Sequence, residues 1–351
     1  MRRLTYQQFR ANLNEILSSP EPRHKEMIRK ANEGLARLKL LTPGQVHHDS
    51  TLSNVSIQYK NEEYIGLDLL PVVSVNKLSD YFYKYDKRSR LAAPDDAIGA
   101  RGEANEIEDK RSDDTYSCRA YALKNYVDAL TLANQDAPLN EMVDLVESIS
   151  ELIDFREEVR IASILTTGAN FGSNTTGISA GSRWDTAGGG NPIKDMQDAI
   201  KNIWMGRGPS ELVGYCSLDV WNVLSRHPAI LDLFKYNGSS PGLATPEMLA
   251  KFIGISRILV GKARKDTANE GASASYTRIW SDVFGIVRVA KNPSTRTAAF
   301  GYTFRMGPKR TDEWFDPSKG TEGGYYARVS LKEDHKVVAA DTGFLLTTPI
   351  G

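Results

Sequence analysis

The sequence predicts an α+β protein, and three observations carry that reading. Between Asn76 and Cys118 an aromatic run (Tyr81-Phe82-Tyr83-Lys84-Tyr85) leads into a stretch rich in Pro, Gly, Ala and Asp, then returns through charged residues to Asp114-Thr115-Tyr116. That is the pattern of a long β-hairpin arm. From Asn140 to about Thr167 apolar residues recur at three-to-four spacing (Met142, Val146, Ile149, Ile153, Val159). This predicts one helix of roughly 40 Å, more a strut than an ordinary globular helix. After it, helical and strand patterns alternate to about residue 290, and from Phe300 onward the chain reads as mainly β.

Taken in order, residues 1–48 read as two amphipathic helices. Leu4, Phe9, Leu13, Ile16 and Leu17 share one face, Pro20 and Pro22 break it, and Met27, Ile28, Leu35, Leu38 and Leu41 form a second face that ends at Pro43-Gly44. This segment holds nine Lys/Arg and four Glu, a net +5, so the neutral chain leaves −5 for the remainder. Residues 55–75 read as extended, with Pro71 suiting a strand start or a sheet edge. After the arm, Tyr121–Val127 alternates as a strand. Pro138 punctuates the entry to the long helix, and Asn140 is its expected N-cap. Glu147, Glu151, Asp154, Glu157 and Glu158 are expected mostly on its other faces. Residues 168–192 read as loop. Ile193, Met196, Ile200 and Ile203 then mark a helix, Glu211–Cys216 a strand, and Ser217 the cap of a helix through Leu224. Thr245-Pro246-Glu247 starts another helix and Gly254 stops it. Arg257–Val260, Gly285–Val289, Tyr325–Ser330 and Val337–Ala340 read as strands.

At 351 residues the chain suits about two domains. Lys+Arg and Asp+Glu are both 44, which argues against a nucleic-acid coat held by bulk positive charge and permits many copies to pack together. Cys118 and Cys216 form no CxxC, so neither a thiolate zinc site nor a disulfide framework is indicated, and a reducing setting fits. Met1-Arg2-Arg3 has the basic start of a signal peptide, but no apolar core follows it. No apolar run is long enough to span a membrane.

Motifs for chemistry are weak. Gly177-Ile178-Ser179-Ala180-Gly181 matches G-x-S-x-G, but its flanks read as loop where a nucleophile elbow needs a strand and a helix. Asp185 and His227 follow in a permissible order. Gly254–Lys262 has six residues between its glycines and Ala263 after the lysine, so it is no phosphate loop. His47-His48-Asp49 reads as exposed loop, and His24, His227 and His335 show no ligand spacing. His227 before Pro228 suggests a helix end where positive charge is welcome. Trp184, Trp204, Trp221, Trp280 and Trp314 lie beside apolar residues and read as core or interface. No catalytic, cofactor or metal residue is predicted.

The arm is different. Two strands alone are marginal in water, so an aromatic hairpin needs a cover. Two arms of about 18 residues reach on the order of 60 Å, which points to a neighbouring copy of the chain as that cover. Its charges suit register between subunits rather than catalysis. The candidate inter-subunit residues are Tyr81, Phe82, Tyr83, Lys87, Arg88, Arg101, Glu106, Lys110 and Arg111.

Several segments resemble the major capsid proteins of tailed bacteriophages, which have the Hong Kong 97-like fold. They are Leu69–Val75 with Asp80–Tyr85, Asp114–Cys118 with Tyr121-Ala122-Leu123, Val220-Trp221 with His227-Pro228 and Ile230, and Leu249–Val260. The resemblance runs from about residue 60 to the C-terminus. It implies an N-terminal arm (1–58), a peripheral domain (59–75, 119–172 with the spine helix, and 297–338), an extended loop (76–118), and an axial α/β domain (173–296) rejoined by a C-terminal strand (339–351). It further implies a virion protein forming pentamers and hexamers of an icosahedral shell around double-stranded DNA. Scaffold, portal and decoration proteins would be its partners, with no cofactor and no membrane. Lys84, Lys87 and Lys110 are cross-link candidates by location only. A cellular nanocompartment shell of the same fold, and a serine hydrolase using Ser179, are the alternative functions.

Overall fold

A computed structural model describes residues 64–85, 111–134, 140–186, 188–203, 210–234, 244–269, 271–293 and 297–351, with isolated positions between 93 and 107. All lie in the unit Asp49–Gly351. The helices expected in 1–48, His24, His47, His48 and Trp204 are outside the described residues. The strands are β1 Val72–Ser74, β2 Ser79–Tyr85, β3 Arg111–Ser117, β4 Arg119–Asp128, β5 Thr175–Gly177, β6 Ser210–Ser217, β7 Arg257–Gly261, β8 Arg264–Asp266, β9 Tyr276–Arg278, β10 Val283–Ala290, β11 Gly301–Arg305, β12 Arg310–Asp316, β13 Gly324–Val337 and β14 Gly343–Thr347. The helices are α1 Gly66–Leu69, α2 Ala129–Ala133, α3 Glu141–Leu165, α4 Pro192–Asn202, α5 Leu218–Leu224, α6 Pro228–Phe234 and α7 Pro246–Ile253.

Two five-stranded sheets dominate. The first is organised by β13. The strand β4 pairs along Gly324–Glu333, while β12 pairs with Gly324–Ser330 and β11 with Glu333–Val337. At its edge β1 pairs parallel to β11, directly after Pro71, where a missing N–H costs no ladder bond. The second sheet runs β5-β14-β10-β6-β7. All eight residues of its central strand β10 are buried. Phe284 and Ile286 face one core with α4, α5 and α7, while Val283, Val287 and Val289 face another with the end of α3.

The long helix α3 has 25 residues, about 38 Å by helical rise. Asn140 caps it, its side-chain oxygen accepting from Val143 N at 3.3 Å. The helix spans the two sheets. Leu145, Val146, Ile149 and Ile153 pack on Ala327, Val329 and Leu331 of β13. Ile161, Ala162 and Leu165 join Val213, Tyr215 and Trp280 of the second sheet and its flank.

The expected caps form. Ser217 accepts from Val220 N at 3.3 Å, Thr245 accepts from Met248 N at 3.4 Å, and Gly254 ends α7 with φ +85°. Four expectations need correction. The segment 55–75 is not uniformly extended, because α1 precedes β1. Residues 168–192 include the short strand β5, parallel to β14. The strand expected over Val337–Ala340 stops at Val337, because its partner β11 ends at Gly301. Glu157 and Glu158, expected off the apolar face of the long helix, are buried.

Candidate inter-subunit surface

The hairpin strands β2 and β3 pair antiparallel from Ser79↔Ser117 to Tyr85↔Arg111. This register places Tyr81, Tyr83, Asp113 and Thr115 on one face and Asp80, Phe82, Asp114 and Tyr116 on the other. The second face packs on the first sheet of its own chain. The Tyr116 ring stacks on Phe304 with centroids 4.7 Å apart, Phe82 lies 5.5 Å from Phe304, and Tyr302 meets Phe304 edge-on. Ser117 N donates to Asp334 Oδ2 at 2.8 Å and Cys118 Sγ donates to Phe304 O at 3.4 Å. The expectation that a neighbour must cover the whole arm is therefore corrected at its root. Phe82 is covered from within, whereas Tyr81 and Tyr83 are 67% and 66% exposed.

Of the nine predicted contact residues, Tyr81, Phe82, Tyr83 and Arg111 lie on the paired strands, and Glu106 is exposed. Lys87, Arg88, Arg101 and Lys110 lie outside the described residues. Among the cross-link candidates, Lys84 is in β2, and Lys87 and Lys110 are outside the described residues.

Beneath the root lies an ion-pair lattice that the spacing of α3 did not reveal. Glu333 of β13 receives Arg160 Nη2 at 2.6 Å and Arg305 Nη2 at 3.0 Å, and Arg305 also reaches Glu157 at 2.5 Å. Lys309 pairs with Asp154 at 2.6 Å. Thr303 Oγ1 donates to Leu70 O at 3.0 Å and so accepts from His335 Nδ1 at 3.0 Å, which leaves His335 Nε2 facing Glu333 Oε1 at 3.3 Å. Burial and the neighbouring Glu333 charge push the Glu157 carboxyl up to about 8. Burial alone would raise Glu333 as well, but His335, Arg160 and Arg305 together hold it down at about 2. One proton kept on Glu157 thus leaves a single full negative charge between two guanidiniums, the arrangement two close carboxylates favour.

Glu157, Glu333 and His335 place donor atoms within 4.8 Å of one another. The carboxylates are already occupied by arginine, so the cluster works as a clamp between helix and sheet rather than as a metal centre. Glu158, one residue on, accepts from Ile65 N at 3.1 Å, Gly66 N at 2.8 Å and Trp280 Nε1 at 2.8 Å. It satisfies free N–H groups at the start of α1. A β-carbon on Gly66 would sit 2.6 Å from its Oε2, so only glycine allows this approach.

The hydrolase candidates do not converge. Ser179 Oγ pairs with Ser182 Oγ at 3.4 Å, Asp185 accepts from Gly351 N at 3.1 Å, and His227 Nδ1 accepts from Ala229 N at 3.2 Å. His227 therefore serves the start of α6 as an acceptor, correcting the expectation of a charged helix end. Burial holds its ring below the usual histidine range. Gly254–Lys262 is the αL stop of α7 followed by β7, not a phosphate loop. Trp184 and Trp280 are core, and Trp314 stacks on Tyr326 at 5.2 Å.

No protein-family model matches the chain. The major capsid protein of Pseudomonas phage JBD67 is 25% identical over 304 residues, covering 86% of this chain and 97% of the relative. That of Burkholderia phage BcepMu is 29% identical over 267 residues, covering 73% and 83%. Among solved structures, a phage-related protein from Bordetella bronchiseptica RB50 superposes with a TM-score of 0.66 at 22% identity, covering 86% of this chain and 97% of its own. The capsid of cyanophage P-SCSP1u does so with 0.56 at 9% identity, covering 88% and 93%. Over most of its length, and with a mixed helix-and-sheet fold like that of a phage capsid subunit, this chain is similar to the major capsid proteins of these bacteriophages.

Proposed function

We propose that the chain is the shell-forming subunit of a tailed-phage head with Hong Kong 97-like organisation. It assembles as pentamers and hexamers into an icosahedral virion shell around double-stranded DNA, without catalysis. Scaffold and portal proteins are its expected partners, and decoration proteins where present. The division into domains is supported by sheet membership. Strands of the first sheet fall within 59–75, 119–172 and 297–338, and those of the second within 173–296 and 339–351. The observation that carries the assembly role is the hairpin face bearing Tyr81 and Tyr83. It is aromatic and exposed, on a two-stranded sheet whose other face is already spent on its own body. Lys87, Arg88, Arg101, Glu106, Lys110 and Arg111, in the same loop (76–118), are the further contact residues of this reading.

Negative-stain microscopy of the purified protein tests this. Closed shells are expected, and deletion of Leu91–Asn105 is expected to leave soluble subunits that no longer close. Normal shells from the deletion would defeat the role given to the loop. Particles filled with protein in place of nucleic acid would shift the reading to a nanocompartment shell. Ser179→Ala is expected to leave assembly unchanged, and esterase activity present in the wild type and lost in that variant would revive the hydrolase.

A further inference from the structure

We propose that a cavity at the root of the hairpin is a binding site for a divalent, phosphate-type oxyanion. The inference goes beyond the shell reading above and stands on the fold of the single subunit.

The cavity is about 550 Å³, within the size range of ligand pockets. Three parts of the fold converge on it. Ser117 ends β3 and Arg119 opens β4, Arg160 and Ser163 stand on one face of α3, and Asp334 and Lys336 lie near the end of β13.

The lining charges do not cancel. Arg119, Arg160 and Lys336 stand against Asp334, three minus one, a surplus of +2. That one carboxylate is already engaged by Ser117 N at 2.8 Å. Arg119 is exposed and makes no ion pair among the described residues. Lys336 reaches Asp114 only at 3.9 Å and its side chain is 35% exposed. Arg160 is held in place, with one amino group on Glu333 at 2.6 Å and its guanidinium 3.9 Å over the Tyr121 ring, while its buried Nε has no partner among the described residues. A guanidinium fixed beforehand loses less freedom when it binds an anion. Surplus charge of one sign between low-dielectric walls focuses the field on that anion.

The same features choose among anions. A planar carboxylate carries a single charge and leaves half of the surplus uncancelled. A phosphate group carries about −1.5 to −2 near neutral pH and presents its acceptor oxygens in several directions. The two guanidiniums, the ammonium and the hydroxyls of Ser117 and Ser163 supply donors from three sides of the cavity. Inorganic phosphate and the phosphate of a mononucleotide share this chemistry.

The test is calorimetric titration of the full-length chain above neutral pH, at fixed ionic strength in chloride. Inorganic phosphate and sulfate are each expected to saturate one site per chain, and acetate to give no saturation. Arg119→Ala with Lys336→Ala removes two accessible cations. It is expected to weaken phosphate binding at least tenfold, because charge-assisted hydrogen bonds are lost, and to leave the thermal midpoint in chloride within a few degrees of wild type. Lys332→Ala removes an exposed cation of β13 outside the cavity and is expected to leave the affinity unchanged. Hydrogen exchange reads the same site without substitution, and phosphate is expected to slow the amides around Arg119 and Lys336. Competition by adenosine monophosphate would place a nucleotide's phosphate in the site, and its failure to compete would restrict the site to free oxyanions. Saturation by acetate as strong as that by phosphate, phosphate affinity that survives the double substitution, or no phosphate binding above the chloride background would overturn the site while leaving the shell reading intact.

Discussion

Glu158→Ala removes the carboxylate that joins α3 to the start of α1 and to the Trp280 indole. Three buried N–H groups lose their acceptor: Ile65 N, Gly66 N and Trp280 Nε1. Each orphaned buried donor costs about 1–3 kcal/mol. Two effects pull the sum toward its lower end. Burial raises the Glu158 carboxyl, so its deletion also relieves a desolvation penalty. The α1 helix is only four residues long and can shift to admit water. The expected loss is about 3–5 kcal/mol, a large share of the 5–15 kcal/mol typical of a domain. The assay is urea unfolding of the unassembled subunit followed by tryptophan fluorescence, with hydrogen exchange at the Ile65 and Gly66 amides. Exchange there should speed up before the sheets open. Glu158→Gln keeps the volume and one acceptor and should lose about half as much. A loss under about 1 kcal/mol, with both amides still protected, would show that the carboxylate does not hold these segments together.

Four further outcomes are expected. Phe304→Ala deletes the ring that stacks on Tyr116 and lies tilted against Phe82, and should cost about 3–5 kcal/mol. Exchange should rise selectively along β2 and β3, and a uniform rise across both sheets would contradict the local role. Glu157 keeps a proton up to about pH 8 in the folded state that the unfolded chain releases near its ordinary 4.5, so its contribution is present below 4.5 and lost as pH rises toward 8. Glu333, held near 2, acts oppositely, and its contribution is lost as pH falls from 4.5 toward 2. Glu157→Gln should therefore gain on the wild type between pH 5 and pH 8, and an equal urea midpoint difference at both values would reject the protonated assignment. Gly285→Ala would bring a β-carbon 2.1 Å from the Tyr215 ring in the central strand of the second sheet, so the variant should lose about 1–3 kcal/mol by urea titration. Tyr81→Ser with Tyr83→Ser should leave the subunit's thermal midpoint within a few degrees of wild type while reducing shells on sizing chromatography, and unchanged shell yield would remove these rings from the interface.

What the sequence determined by itself was local. The N-cap of α3 at Asn140, the caps at Ser217 and Thr245, the stop at Gly254 and the alternation of the hairpin each depend on residues within about four positions, and each formed as read. The aromatic arm was legible as a hairpin in need of a cover. Which of its faces needed one was not, since Phe304 joins it from the far end of the chain. Glu157 and Glu158 look no different in sequence from Glu147 and Glu151. Only the tertiary structure buries them, because their partners stand as far as 148 residues away at Arg305, and Arg160, on the same helix, finds its partner 173 residues away at Glu333. The same long-range supply of acceptors turned 66–69 into a helix where an extended run was read, and the end of β11 halted β13 at Val337. Burying a carboxylate costs free energy unless donors meet it, and those donors are assembled by the fold rather than by the neighbours in sequence.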